Sequence, residues 1–106
     1  MTEREAWLRL WWLWSRAKCA GDTYCVQVRK GWPHSNCLCW CIQDMADDRL
    51  ITRTVGLAMM KRIRAEGRRR KTTIGENRLW STDAEGARQR AAFCRRQAAK
   101  CEGVTT

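Results

Sequence analysis

The sequence has very little proline and histidine, and it lacks an apolar run of the length that a membrane-spanning helix requires. Its 106 residues include one proline and one histidine. With 44% apolar residues and seven tryptophans, the chain is unlike a disordered polar segment and can bury a core of its own. The tryptophan-rich stretch at 7–14 is apolar at seven of its eight positions, whereas a bilayer-spanning helix needs about 20 such residues. We therefore predict one folded domain, residues 1–106, without a membrane span.

Evidence for a secretory signal is also missing. Charged residues interrupt the apolar N-terminal stretch at Glu3, Arg4, Glu5 and Arg9, which a signal peptide would not tolerate. The seven cysteines are an odd number, and free thiols are typical of the reducing cytosol. We therefore expect a cytoplasmic protein whose cysteines are reduced.

Positive charge is concentrated in the second half of the chain, and the formal net charge is +10. Residues 1–50 contain seven Lys and Arg against six Asp and Glu, while residues 51–106 contain fourteen against five. A field of this sign attracts nucleic acid, acidic protein surfaces and anionic lipid alike. The charge therefore predicts an anionic partner but does not distinguish among these three kinds.

Apolar residues recur at helical spacing in four segments, so we predict a mainly α fold, a small bundle of about four helices. Ser35 or Asn36 is expected to cap the second helix, and Thr52 the third, which should end at Gly67. The predicted helices cover residues 2–18, 36–47, 53–66 and 83–100, with one short irregular or extended segment at 20–35.

The first and last helices have complementary faces. The last helix, for which Thr82 and Glu85 form a T-x-x-E capping box, presents small residues inward and needs a bulky neighbour. The first helix supplies one, because four large residues share a face at i, i+3, i+4 and i+7 spacing. That face is predicted to be buried within the fold, although docking on a second copy, as a homodimer, or on another partner would also cover it. Its members are Trp7, Leu10, Trp11 and Trp14.

The stretch HSNCLCWC at 34–41 raises the question of a metal site. On a helix Cys37 and Cys41 share a face, and His34 could turn back toward Cys37, so these three are candidate zinc ligands. Three alternating thiols match no common zinc signature, and we favour packing of the cysteines as small apolar residues, without a cofactor. His34 could also assist a cysteine nucleophile, but no third group completes such a site, so we do not expect an enzyme.

The segments 36–47 and 53–66 form a candidate helix-turn-helix. The string MADDRLITRTVGLAMMKRI resembles that family in Ala46, Thr52 and Val55. It departs from the family at Arg49 and Leu50, and its Val55 stands one place early. The resemblance implies that residues 53, 54 and 56–60 approach base edges and that the following basic run contacts phosphates.

The basic residues of this region are the candidate binding site for a host protein, a nucleoprotein complex, DNA or RNA. A helical hairpin whose charges are only solvated is the alternative. The candidates are Arg53, Lys61, Arg62, Arg64, Arg68, Arg69, Arg70 and Lys71.

Three segments between residues 34 and 98 resemble small proteins of bacteriophages and prophages. They are the helix pair in HSNCLCWCIQDMADDRLITRTVGLAMMKRIRAEGRRR, the RLW anchor at 78–80 and the final EGARQRAAFCRRQA. The resemblance implies a small non-enzymatic protein that occupies a surface of a host machine, as anti-CRISPR proteins do. We therefore expect an inhibitor of a host nucleoprotein or defence complex, with a helix-turn-helix DNA-binding regulator as the alternative.

Overall fold

The computed structural model describes residues 1–70 and 79–102, and it is mainly α-helical. The observed helices are α1 (Glu3–Ser15), α2 (Leu38–Asp47), α3 (Arg53–Arg69) and α4 (Ala84–Glu102). Strands β1 (Lys18–Ala20) and β2 (Thr23–Cys25) form a short antiparallel hairpin. The prediction of a mainly α chain with four helices is confirmed. Within the described ranges no helix is both long enough and apolar enough to cross a bilayer.

Helix α1 is shorter than predicted. It begins after a capping box in which Thr2 and Glu5 exchange hydrogen bonds at 2.9 and 3.1 Å. It ends at Ser15 rather than near residue 18, because Lys18 pairs with Cys25 in the hairpin. Gly21 opens the two-residue turn with φ +68°, a conformation that glycine adopts without steric cost.

The start of α2 also differs from the prediction, because its cap is Cys37 rather than Ser35 or Asn36. The Cys37 thiol accepts a hydrogen bond from the Trp40 backbone N–H at 3.4 Å. Ser35 is used elsewhere: its backbone pairs with Val26, and its hydroxyl donates to Asp44 at 2.9 Å. The hydroxyl therefore ties the segment that follows the hairpin to the side of α2.

The turn between α2 and α3 is a Schellman motif built on a non-glycine residue. The Leu50 N–H donates to Met45 O at 2.9 Å, and the Arg49 N–H donates to Ala46 O at 3.0 Å. Arg49 occupies the left-handed position with φ +59°, where glycine is usual.

We expect Arg49→Gly to raise the free energy of unfolding by about 0.5–1 kcal/mol. The substitution relieves the left-handed strain of an L-residue, partly offset by the greater freedom of glycine in the unfolded chain. Urea denaturation checks this, with Lys30→Gly as a charge-matched control that should bring no gain. Equal or lower stability of Arg49→Gly would contradict the backbone argument.

The ends of α3 and α4 correct two further predictions. Helix α3 does not end at Gly67, which is buried inside the helix, and it continues to Arg69. Helix α4 is capped by Asp83 rather than by the predicted box of Thr82 and Glu85. The Asp83 carboxylate accepts the Gly86 N–H at 2.9 Å, and a hydrogen bond from the Ser81 hydroxyl lowers the pKa of Asp83.

The core lies mainly between α1 and α4, as the complementary faces predicted. Trp7, Leu10 and Trp14 are fully buried, and Trp7 meets Phe93 of α4 edge to face at a centroid distance of 5.7 Å. The prediction that Trp11 shares this buried face is wrong, since it is 39% exposed. Trp11 lies at the border of the face, where the Arg95 guanidinium stacks 5.6 Å from its ring centroid.

Candidate interaction surface

The basic residues singled out in the sequence fall into two groups in the structure. Six lie on α3 and Arg70 caps its C-terminal end, while Lys71 is outside the described residues. One group is engaged in intramolecular ion pairs, and the other is exposed along one face of α3.

Arg62 joins three helices. Its Nε donates to Glu3 Oε2 of α1 at 2.6 Å, and its Nη1 donates to Gln97 Oε1 of α4 at 3.2 Å. Glu3 Oε2 also accepts the Trp7 indole N–H at 2.9 Å. The Arg62 guanidinium is therefore partly buried and held between helices, and it is less available to a partner than an exposed arginine.

Arg69 and Arg70 both pair with Glu66. Arg69 donates two hydrogen bonds to the Glu66 carboxylate at 3.0 and 2.8 Å, and Arg70 Nε lies 3.2 Å from Glu66 Oε2. The hydrogen bonding from Arg69, together with the charges of both arginines, holds the pKa of Glu66 below its usual value. Arg70 also donates to Leu79 O at 2.9 Å, so it helps to hold the residues that precede α4.

The remaining four basic residues form an exposed row, which we call the α3 stripe: Arg53, Lys61, Arg64 and Arg68. Their spacing, with Leu57 between the first two, places them on one helical face. In residues 1–70 and 79–102 no carboxylate forms a salt bridge with any of the four. The stripe spans fifteen residue steps, or about 22 Å at ~1.5 Å per residue.

The helix-turn-helix interpretation is only partly compatible with this geometry. Helices α2 and α3 pack together, and Arg53 and Thr54 at the start of α3 are exposed, as a recognition helix requires. Gly56 and Met59, which that interpretation placed near base edges, are buried against the protein interior. The exposed charge also continues far beyond the first turns of α3, to Arg68.

A groove of about 260 Å³ runs between α2 and α3, beside the stripe. Its rim carries Arg53 at one side and Gln43 and Asp47 at the other, and Leu57 is 55% exposed. The groove was not predicted from the sequence. The one signal that could have indicated it is Leu57, a leucine at helical spacing among the basic residues of α3. Apolar groups on the lining come from Ile42, Ala46, Leu57 and Met60.

Three tryptophans remain exposed. Trp12 of α1 is 47% exposed and Trp40 of α2 is 62% exposed, in addition to Trp11. Arg9 and Arg16, one turn before and one turn after Trp12, stack over its ring at 5.8 and 4.5 Å from the centroid. Trp40 precedes Gln43 and Asp47 at helical spacing, which places it on the same side of α2 as the groove rim.

The three candidate zinc ligands do not converge. His34 Nδ1 lies 3.3 Å from the Cys25 thiol. The Cys37 thiol caps α2, and Cys41 lies in the core. In the part of the chain that the structure describes, no group of three or more His, Cys, Asp and Glu side chains could hold a metal ion.

Two cysteines of α4 also lie where packing as small apolar residues would place them. Cys94 is fully buried and Cys101 is partly buried. Burial raises the pKa of the Cys101 thiol, which therefore stays protonated at neutral pH.

Comparisons with protein-family models, with curated proteins and with solved structures found no match.

Proposed function

We propose that this protein is a non-enzymatic interaction protein, a small helical bundle that binds and inhibits a host nucleoprotein or defence complex in the bacterial cytoplasm. The α3 stripe is the surface that would dock on the anionic partner, and its four exposed cations are the observation that carries the proposal. Cations that have no salt-bridge partner among the described residues are the ones that can neutralise phosphates or carboxylates of another molecule.

The resemblance to small phage proteins supports the inhibitory role, since small non-enzymatic phage proteins often act by occupying a surface of a host machine. The net charge of +10 supports an anionic partner. Trp40, which is exposed on the groove side of α2, and the stripe arginines are of the residue types that most often dominate binding energy at protein interfaces. These features together favour a docking protein over an enzyme.

Charge reversal at Lys61 and Arg64 is expected to remove most partner binding. A pull-down from bacterial lysate, run with and without nuclease and analysed by mass spectrometry, measures the effect. The control is Lys30→Glu with Lys100→Glu, which changes the net charge equally at exposed positions away from the stripe. We expect the stripe variant to lose at least about tenfold more captured complex than the control. Equal losses from both variants would contradict a localised docking surface.

A helix-turn-helix DNA-binding regulator is the second candidate, favoured by the packed α2–α3 pair and the exposed Arg53. It predicts that Arg53→Glu alone abolishes DNA binding, because Arg53 lies at the start of the recognition helix. An inhibitor that docks through the whole α3 stripe would still have Lys61, Arg64 and Arg68 and would retain most of its binding. Recovery of DNA alone, lost completely after nuclease treatment, would favour the regulator.

A further inference from the structure

The groove between α2 and α3 is lined by apolar and polar side chains, and its positive charge lies along one side only. Ile42 and Ala46 of α2 face Met60 and Leu57 of α3 across it. The α3 side continues into Lys61 and Arg64 of the stripe. A ligand in the groove would therefore meet apolar side chains below and cations on one flank.

The opposite flank has a different character. Asp47, with Gln43 hydrogen-bonded to it at 2.9 Å, lines the α2 side. Trp40 extends that side by one turn and is the most exposed large apolar residue described. Acidic groups of a ligand are attracted to the α3 side and repelled by Asp47, which would fix the ligand's orientation about its own axis.

A phosphate backbone alone does not account for these features. Phosphate recognition uses basic side chains, hydroxyls and backbone N–H groups, and it gains little from an apolar groove or from an exposed leucine within the cationic row. An amphipathic helix would contact both the groove and the exposed leucine. Such a helix inserts apolar side chains at i, i+3 or i+4 and i+7 into a groove, and its polar border pairs with the rim. The stripe length of about 22 Å corresponds to four turns of such a helix.

A second copy of this chain fits less well than another protein. Two copies docked through the same surface would bring two α3 stripes together, and juxtaposed like charges oppose association. An acidic partner has the complementary charge.

We infer that the α2–α3 groove and the adjoining α3 stripe bind an acidic amphipathic helix of a partner protein. This inference rests on the proposed docking function and identifies the chemistry of the partner. Leu57 contributes an apolar contact at the centre of the surface, Lys61 and Arg64 pair with carboxylates on the helix border, and the groove receives one or two large apolar side chains.

Two synthetic peptides of about 15 residues, the length that covers the stripe, test the inference. One has leucines at i, i+4, i+7 and i+11 with glutamates on both borders, and the other has the same composition with the leucines scattered. A random-sequence DNA duplex of about 20 base pairs is the third probe. Affinities for the full chain are measured by fluorescence anisotropy at two salt concentrations.

We expect the amphipathic peptide to bind at least about tenfold more tightly than its scrambled isomer. Leu57→Ser should weaken that binding by about fivefold or more. Its matched control is Trp12→Ser, which removes an exposed apolar side chain from α1 and should leave binding unchanged. Neither substitution alters the net charge.

Equal affinity for both peptides would overturn the groove inference, since only charge would then be recognised. Tight DNA binding that is insensitive to Leu57→Ser, with no preference between the peptides, would also overturn it. A dimer in sedimentation experiments that Leu57→Ser dissociates would assign the groove to self-association instead. Each of these results leaves the proposed docking function standing, whereas unchanged lysate capture by the Lys61 and Arg64 reversals would remove that function.

Discussion

Replacing Gly86 with alanine should reduce the free energy of unfolding by about 3 kcal/mol or more, the upper range for overpacking. Gly86 lies in the first turn of α4, and a Cβ added there would overlap the carbonyl oxygen of Ser81. That carbonyl cannot move away freely, because it accepts a hydrogen bond from the buried Arg90 guanidinium at 2.6 Å. The added methyl would therefore displace either the helix start or the 79–81 segment.

Gly56→Ala is the matched control, because Gly56 is also a buried helical glycine. A Cβ at this position would lie 3.6–3.9 Å from the side chains of Ile51, Ile42 and Ala46, which are ordinary contact distances. Alanine is favoured over glycine in a helix by about 1 kcal/mol, so this substitution should be neutral or stabilising. Chemical denaturation of both variants measures the difference. A small, equal effect at both positions would show that Ser81 does not approach α4 as closely as described.

The contrast between these glycines marks what the sequence can and cannot predict. Both stand in stretches with helical spacing, and that spacing correctly predicted that α3 and α4 exist. The close approach of Ser81 to Gly86 depends on how the chain returns to α4, which no local pattern encodes. The same holds for the cap of α2, where the Cys37 thiol stands in place of the predicted Ser35 or Asn36; Ser35 pairs with Val26 and Asp44 instead.

The candidate site was predictable as a set of residues but not as a surface. The basic run between 53 and 71 was evident, yet the partners that engage some of its members are distant in sequence. Glu3, which lies 59 residues before Arg62, forms a salt bridge with the Arg62 guanidinium. Only the packing of α1 against α3 brings them together, and only the packing of α2 against α3 creates the groove beside Leu57.

Trp80→Ala should cost about 3–5 kcal/mol of stability, the usual range for removing a buried aromatic side chain. Trp80 is fully buried, and its ring lies 5.0 Å from the Phe93 ring, centroid to centroid. Arg90 lies over the same ring at 5.9 Å and donates to Trp80 O at 3.1 Å, so the side chain and backbone of Trp80 are both fixed against α4. Small domains have about 5–15 kcal/mol in total, so this variant would be close to unfolding.

Trp80→Phe separates the packing of the ring from its polar group. The Trp80 indole N–H is buried without a hydrogen-bond acceptor among the residues that the structure describes, so replacing it removes a group whose burial carries a desolvation cost. We expect a loss below about 1.5 kcal/mol, because phenylalanine retains an aromatic ring while leaving some space unfilled. Urea denaturation followed by circular dichroism distinguishes the two variants. If Trp80→Ala lowers the free energy of unfolding by less than about 1 kcal/mol, this ring does not anchor the segment before α4. If both variants lower it equally, the indole N–H contributes more to stability than its lack of an acceptor indicates.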